Sequence, residues 1–161
     1  MADDFTLATF YRLWREYAGH IREAIAPLTA EQAALRAAPG QRTIGELVAH
    51  VIVGRVYWLG EFVGETDDDF TTLQMWDNPG ELTTKIPDLL NGLDHSWQFV
   101  ERRLARWTPA DMQQTFPHEW RGDYYDLSRS WVLWHILEHD LHHGGEISLT
   151  LGMHGLQAPD I

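Results

Sequence analysis

The 161-residue chain contains no cysteine. Disulfides, thiolate metal sites and a cysteine nucleophile are therefore excluded, and any metal must be held by nitrogen and oxygen. Positive charge is scarce: 12 basic residues face 24 acidic ones, Lys85 is the sole lysine, and the formal charge is −12. A surface this negative repels phosphate backbones, so nucleic-acid binding is not expected. The densest basic cluster, Arg102, Arg103 and Arg106, reads as a solvated helix face. Long apolar runs are missing too, and charges punctuate residues 1–30 (Asp3, Asp4, Arg12, Arg15, Glu16, Arg22, Glu23). Neither a membrane span nor a signal peptide is visible, and a cytoplasmic protein is expected.

What is present is ordinary for one globular unit: 44% hydrophobic and 22% charged residues, in a length that suits a single domain over 1–161. Phe10, Leu13, Trp14, Tyr17, Ile21, Ala24 and Ile25 recur at helical spacing and predict an amphipathic helix over 4–26, closed by Pro27. A short helical turn is expected over 30–35, then a loop at Pro39-Gly40. Thr43-Ile44-Gly45-Glu46 reads as a capping box opening a second helix that runs to about Gly64. Glu65, Asp67, Asp68 and Asp69, followed by Asn78-Pro79-Gly80, mark an acidic loop. A third helix is predicted from about Leu82 to Trp107, with Pro87 in its first turn or kinking it. Residues 108–126, rich in aromatics and broken by Pro109, Pro117 and Gly122, read as a structured connection with room for a short hairpin. A fourth helix is expected from 126 or 127 to about 152. Four helices without convincing strands predict an all-α four-helix bundle.

Nine histidines occur, four of them in the run His135-Ile136-Leu137-Glu138-His139-Asp140-Leu141-His142-His143. Residues four apart on a helix differ by only about 40°, so Trp131, His135, His139, His143 and Ile147 form one stripe, from which His142 departs. Two imidazoles one turn apart can converge on a metal. A third ligand must then come from a facing helix, and His50 is the only histidine on the second helix's apolar face. Taken alone, His50 reads equally as a hydrogen-bonded core histidine. His20, His95, His118 and His154 read as surface or loop residues. Residues 135–139 also match the H-x-x-E-H pattern of inverzincin metalloproteases, which need a larger body and a substrate cleft that this chain does not offer.

The run from Trp134 to Ile147 resembles the fourth-helix signature of the DinB/YfiT-like superfamily, an H-x-x-x-H followed by R-G-Q-I. Residues 39–50, Pro-Gly-Gln-Arg-Thr-Ile-Gly-Glu-Leu-Val-Ala-His, are similar to that family's second-helix entry, which ends in its first metal histidine. The resemblance implies that His50, His139 and His143 hold one divalent metal, and that His135 and His142 do not. The chain departs from the pattern at Gly144 and Glu146, where the family often has Arg and Gln.

Three neutral imidazoles leave a divalent ion under-neutralised with a coordination position open, the arrangement of catalytic rather than structural sites. Zinc is expected there, with nickel or iron as alternatives. Glu46, Glu138 and Asp140 are candidates to orient the ligating rings, and His135 to line the open side or pack beneath Trp131. Similarity to DinB-like thiol transferases implies transfer of a low-molecular-weight thiol to a small electrophilic substrate. A metal-dependent hydrolase would use the same ligands, and a non-catalytic, metal-stabilised stress-response module would close the site with a fourth ligand. Eight tryptophans, several near loops, and the family's habit of pairing suggest a homodimer.

Overall fold

A computed structural model describes residues 3–66, Leu73, Trp76 and 84–159, with side chains from residue 9 onward. Four long helices carry the architecture. Helix α1 spans Asp3–Ile25, α3 Ile44–Val56, α4 Ile86–Leu104 and α5 Arg129–Met153; the short α2, Ala30–Ala33, lies between α1 and α3. Helix α3 packs against both α4 and α5, and α1 lies against the same two helices. Ile52, Leu89, Phe99, Val132, Ile136 and Ile147, at most 1% exposed, belong to one continuous core.

Local chemistry explains where these helices begin. Thr43 caps α3 by accepting from the Glu46 amide at 3.2 Å, while its own amide donates to the Glu46 carboxylate at 2.6 Å. Thr29 and Gln32 build the same reciprocal cap on α2. Pro87 occupies the first turn of α4, where its missing N–H costs no helical bond. The Ser128 hydroxyl accepts from the Trp131 amide and starts α5.

The strictly all-α expectation fails at residues 115–128. Strands β1, Thr115–Trp120, and β2, Asp123–Ser128, pair antiparallel with Trp120 opposite Asp123 and Thr115 opposite Ser128. Arg121 and Gly122, at φ of 54° and 89°, make the two-residue connection that left-handed hairpin turns require. The fourth long helix consequently starts at Arg129, later than its apolar pattern suggests. The molecule is thus mostly helical with a small antiparallel hairpin.

Two further expectations change. Phe10 and Leu13 are exposed rather than core, and the buried face of α1 instead holds Trp14, Ile21, Ala24 and Ile25. Arg103 is not solvated: it is buried, lies over the Phe99 ring, and donates to the Glu65 carbonyl. Arg106 pairs with the Glu65 carboxylate, so the basic cluster is largely spoken for. Of the acidic loop, Asp67, Asp68, Asp69 and Asn78-Pro79-Gly80 lie outside the described residues, as does the expected helix start at Leu82.

Past Val56, helix α3 widens into a π-helical segment, Tyr57–Phe62. Residues four apart on an α-helix drift forward around the axis, and the wider turn reverses that drift. His50, Gly54, Trp58 and Phe62 therefore line one side of α3. That side faces the stripe of Trp131, His135, His139 and His143 on α5, through contacts of Gly54 with His139 and of Trp58 with His135 and Trp131.

Candidate metal centre

The two facing stripes bring His50, His139 and His143 together. Their ring centres lie 4.8 Å (His50–His139), 4.7 Å (His50–His143) and 4.4 Å (His139–His143) apart. One ligating nitrogen from each falls within 4.8 Å of the others. The Nε2 atoms of His50 and His139 stand 3.2 Å apart. Two nitrogens on a tetrahedral zinc, at about 2.0–2.1 Å from the metal, sit about 3.3 Å from each other. The donor set thus fits a divalent ion in type, and the His50–His139 pair fits it in spacing.

His139 is the most constrained of the three. Burial pushes its pKa down to about 3, helped by the nearby His143, His50, His135 and Arg55, so at neutral pH the ring is uncharged and its lone pair available. Its Nδ1 is buried with no hydrogen-bond partner among the described residues. The ring lies directly against Gly54, where an added Cβ would come within 2.6 Å of Cε1. Glycine at position 54 is what lets α3 approach close enough for His50 to face His139.

The third imidazole is oriented by a carboxylate. Nδ1 of His143 lies 2.7 Å from Glu146 Oε2, which accepts its proton and leaves Nε2 as the donor to a metal. None of the three anticipated candidates plays that role. Glu46 is committed to the α3 cap. Glu138 reaches toward His135 at 3.5 Å. Asp140 is buried on an adjacent face of α5 in a bidentate pair with Arg55 and accepts from Trp14 Nε1 at 2.8 Å. One step along a helix turns the side chain by about 100°, which carries Asp140 away from its neighbour His139.

Neither His135 nor His142 joins the triad, although His142 groups with His143 and Glu146, one ligating atom of each lying within 4.8 Å of the others. The His135 ring stacks on Trp131, with centres 5.0 Å apart and planes at 10°. Its centre is 6.3 Å from that of His139. His142 is exposed and turned toward the far oxygen of Glu146 at 3.9 Å. His118, expected in a loop, sits on β1 against Trp58 and Phe62. His154 bonds the Arg36 carbonyl at 3.0 Å. Sequence reasoning missed Gly54, Trp58 and Glu146. The first two were signalled by four-residue steps from His50, and the third by its place one turn after His143.

Gly144, one of the two departures from the family pattern, has a packing role: a Cβ there would collide with the Tyr17 hydroxyl and press on Ile21. The other departure, Glu146, supplies the carboxylate on His143. Among the described residues no helix is long and apolar enough to cross a membrane.

A solved crystal structure of a DinB-like protein from Bacillus cereus ATCC 10987 resembles this one with a TM-score of 0.73 and 22% identity, over 94% of this chain and 95% of that one. At that identity the likeness speaks for the fold alone. No curated protein is significantly similar to the chain. The family model of the DinB superfamily matches residues 10–147, a span that takes in His50, Gly54, His139, His143 and Glu146. The chain belongs to the DinB superfamily.

Proposed function

We propose that His50, His139 and His143 bind one divalent ion, zinc first and nickel or iron as alternatives, and that the chain is a metal-dependent enzyme acting on a small electrophile with a low-molecular-weight thiol. The observation that carries this reading is an open donor set. Three nitrogens converge, and among the described residues no fourth His, Asp or Glu joins them. Glu46 and His135, which would have closed the site as a structural one, are held in the α3 cap and in the stack on Trp131. Structural zinc is normally enclosed by four protein ligands, whereas an open position admits an outside molecule.

A divalent ion bound there supplies Lewis acidity, which lowers the pKa of a coordinated thiol or water. The chain's own residues do the rest. His139 is kept neutral by burial, Glu146 fixes the tautomer of His143, and Gly54 holds α3 at the distance the triad needs. In the transfer, the thiol sulfur bonds to the electrophilic carbon and the thiol proton leaves with the displaced group. Membership of the DinB superfamily favours thiol transfer over the hydrolase reading.

The test is metal analysis of protein purified without chelator or nickel resin, then turnover of zinc-loaded protein with a panel of thiols and aryl or alkyl electrophiles. One equivalent of metal and thiol-dependent turnover are expected, both lost in His143→Ala. Turnover without thiol would mean a hydrolase. A four-ligand metal in X-ray absorption, with no turnover, would mean a metal-stabilised scaffold.

For assembly we infer a homodimer. Its support is the exposed apolar surface of Phe10 and Leu13 on α1 and of Trp134 and Leu141 on α5.

A further inference from the structure

Beside the triad lies a cavity of about 520 Å³, a size typical of small-molecule sites. Its lining includes Trp58, His118, Trp120, Tyr125, Trp131 and His135, and among the described residues no lysine, arginine or carboxylate lines it. His135 is its nearest approach to the triad, since its ring lines the cavity and stands 6.3 Å, centre to centre, from that of His139, while no triad residue is itself in the lining.

The rings are arranged as a slot. Trp131 and His135 stack at an interplanar angle of 10°, and on the hairpin His118 and Trp120 stack at 21°. Trp58 spans the two pairs: its ring stands edge-on to Trp131 and His135, and 5.7 Å from His118. The π-helical segment keeps Trp58 and Phe62 on this side of α3, and the Arg121-Gly122 turn returns β2, so that Tyr125, paired opposite His118, joins the same lining. Core filling does not account for these aromatics. Trp120 is 58% exposed, Tyr125 48% and Trp131 39%, so they hold apolar surface in water instead of hiding it.

From this geometry we propose that the cavity is the binding subsite for an uncharged, planar aromatic part of the substrate, whose reactive carbon is thereby held beside His135, one helical turn from His139. An anionic group would find no cation in the lining and would enter against a chain of net charge −12. A cationic group would be drawn by the negative chain and by cation–π contact with the tryptophans, but it would have to give up its hydration without a carboxylate among the described lining residues to replace it. A flat neutral ring system gains both offset stacking and apolar burial there. The inference rests on the proposed enzymatic reading for what happens at the metal, but the binding itself does not require metal.

The experiment is saturation-transfer NMR and calorimetric titration of the full chain, metal-free and zinc-loaded, with three probes of similar size. These are 2-naphthol (neutral), 2-naphthoate (anionic) and benzyltrimethylammonium (cationic). Preferential binding of 2-naphthol in both forms is expected. Trp120→Ala and Trp131→Ala should each weaken it by about fivefold or more, with Trp131→Phe restoring most of the loss and zinc content unchanged. Trp120 sits at an exposed hairpin end, so its replacement leaves the core intact. A preference for the cation or the anion, no binding of 2-naphthol, or binding indifferent to both substitutions would overturn the assignment. Any of those results leaves the metal reading standing. Conversely, undiminished zinc content in His143→Ala would defeat the metal reading without touching naphthol binding.

Discussion

At the scale of single residues, the centre depends on groups that carry no metal-binding signature of their own. Glu146 holds His143 through a 2.7 Å contact to Nδ1, and carboxylates in that position typically contribute ten- to a hundredfold in metal affinity. Glu146→Ala is therefore expected to weaken zinc binding by about 10–100-fold while secondary structure is retained, as a chelator competition assay would show. An unchanged affinity would mean that the tautomer of His143 is set by something else. That His139 and His143 share a face was legible because a four-residue step on one helix constrains direction, whereas the pairing with His50 across helices was implied only by the family resemblance. Glu146 was not, because it stands where the family pattern often has Gln and was noticed as a departure rather than as a partner. Gly54 was invisible for another reason: a missing Cβ matters only once the opposing ring, His139, is known.

At the scale of elements, the helices were readable from apolar periodicity and capping boxes, and their contacts were not. The Thr43–Glu46 box marked the start of α3 correctly because it acts within one turn, whereas α4 begins only at Ile86, later than the expected start at about Leu82, with Pro87 in its first turn. The hairpin was anticipated only as room within a connection, since β2 carries the exposed Tyr124 and Tyr125 in succession and lacks the alternation that a half-buried strand displays, although β1 alternates over most of its length. The π-helical widening has no sequence signature, as it reflects how α3 meets α5 and the hairpin. What ties the helices together is a buried polar junction. Asp140 on α5 accepts from Arg55 on α3 and from Trp14 on α1, and Arg55 also donates to Ser96 on α4 at 3.2 Å. Both charged side chains are at most 2% exposed. Removing one member leaves the other charge buried and uncompensated, which costs about 3–5 kcal/mol. Asp140→Ala should lower the urea-unfolding free energy by that amount. Removal of the exposed Arg12–Glu16 pair should change it by less than about 1 kcal/mol. Because Asp140 points away from His139, the folded fraction of the variant should still take up one equivalent of zinc.

At the scale of the whole molecule, the question is what covers the outer face shared by α1 and α5. The hydroxyl of Tyr17 approaches the Asp140 and Leu141 carbonyls, so the two helices lie side by side there. Phe10, Leu13 and Tyr17 share one side of α1, and Trp134, Leu141 and Gly145 one side of α5, by the same helical geometry that builds the histidine stripe. Phe10 is 43% exposed, Leu13 52%, Trp134 55% and Leu141 45%, while Gly145 has open space above it. An apolar band of this kind suits a second copy of the same chain, because one patch can pair with itself about a two-fold axis. The net charge of −12 opposes association of two copies elsewhere on the surface and makes this mainly apolar band, which the exposed Glu138 borders, the natural contact. Sedimentation should therefore show a dimer whose stability rises with salt, as screening reduces the repulsion between copies. Leu13→Glu and Trp134→Glu should each shift the chain to monomer without loss of metal, since neither residue belongs to the triad. A dimer that survives both substitutions would place the contact on another surface.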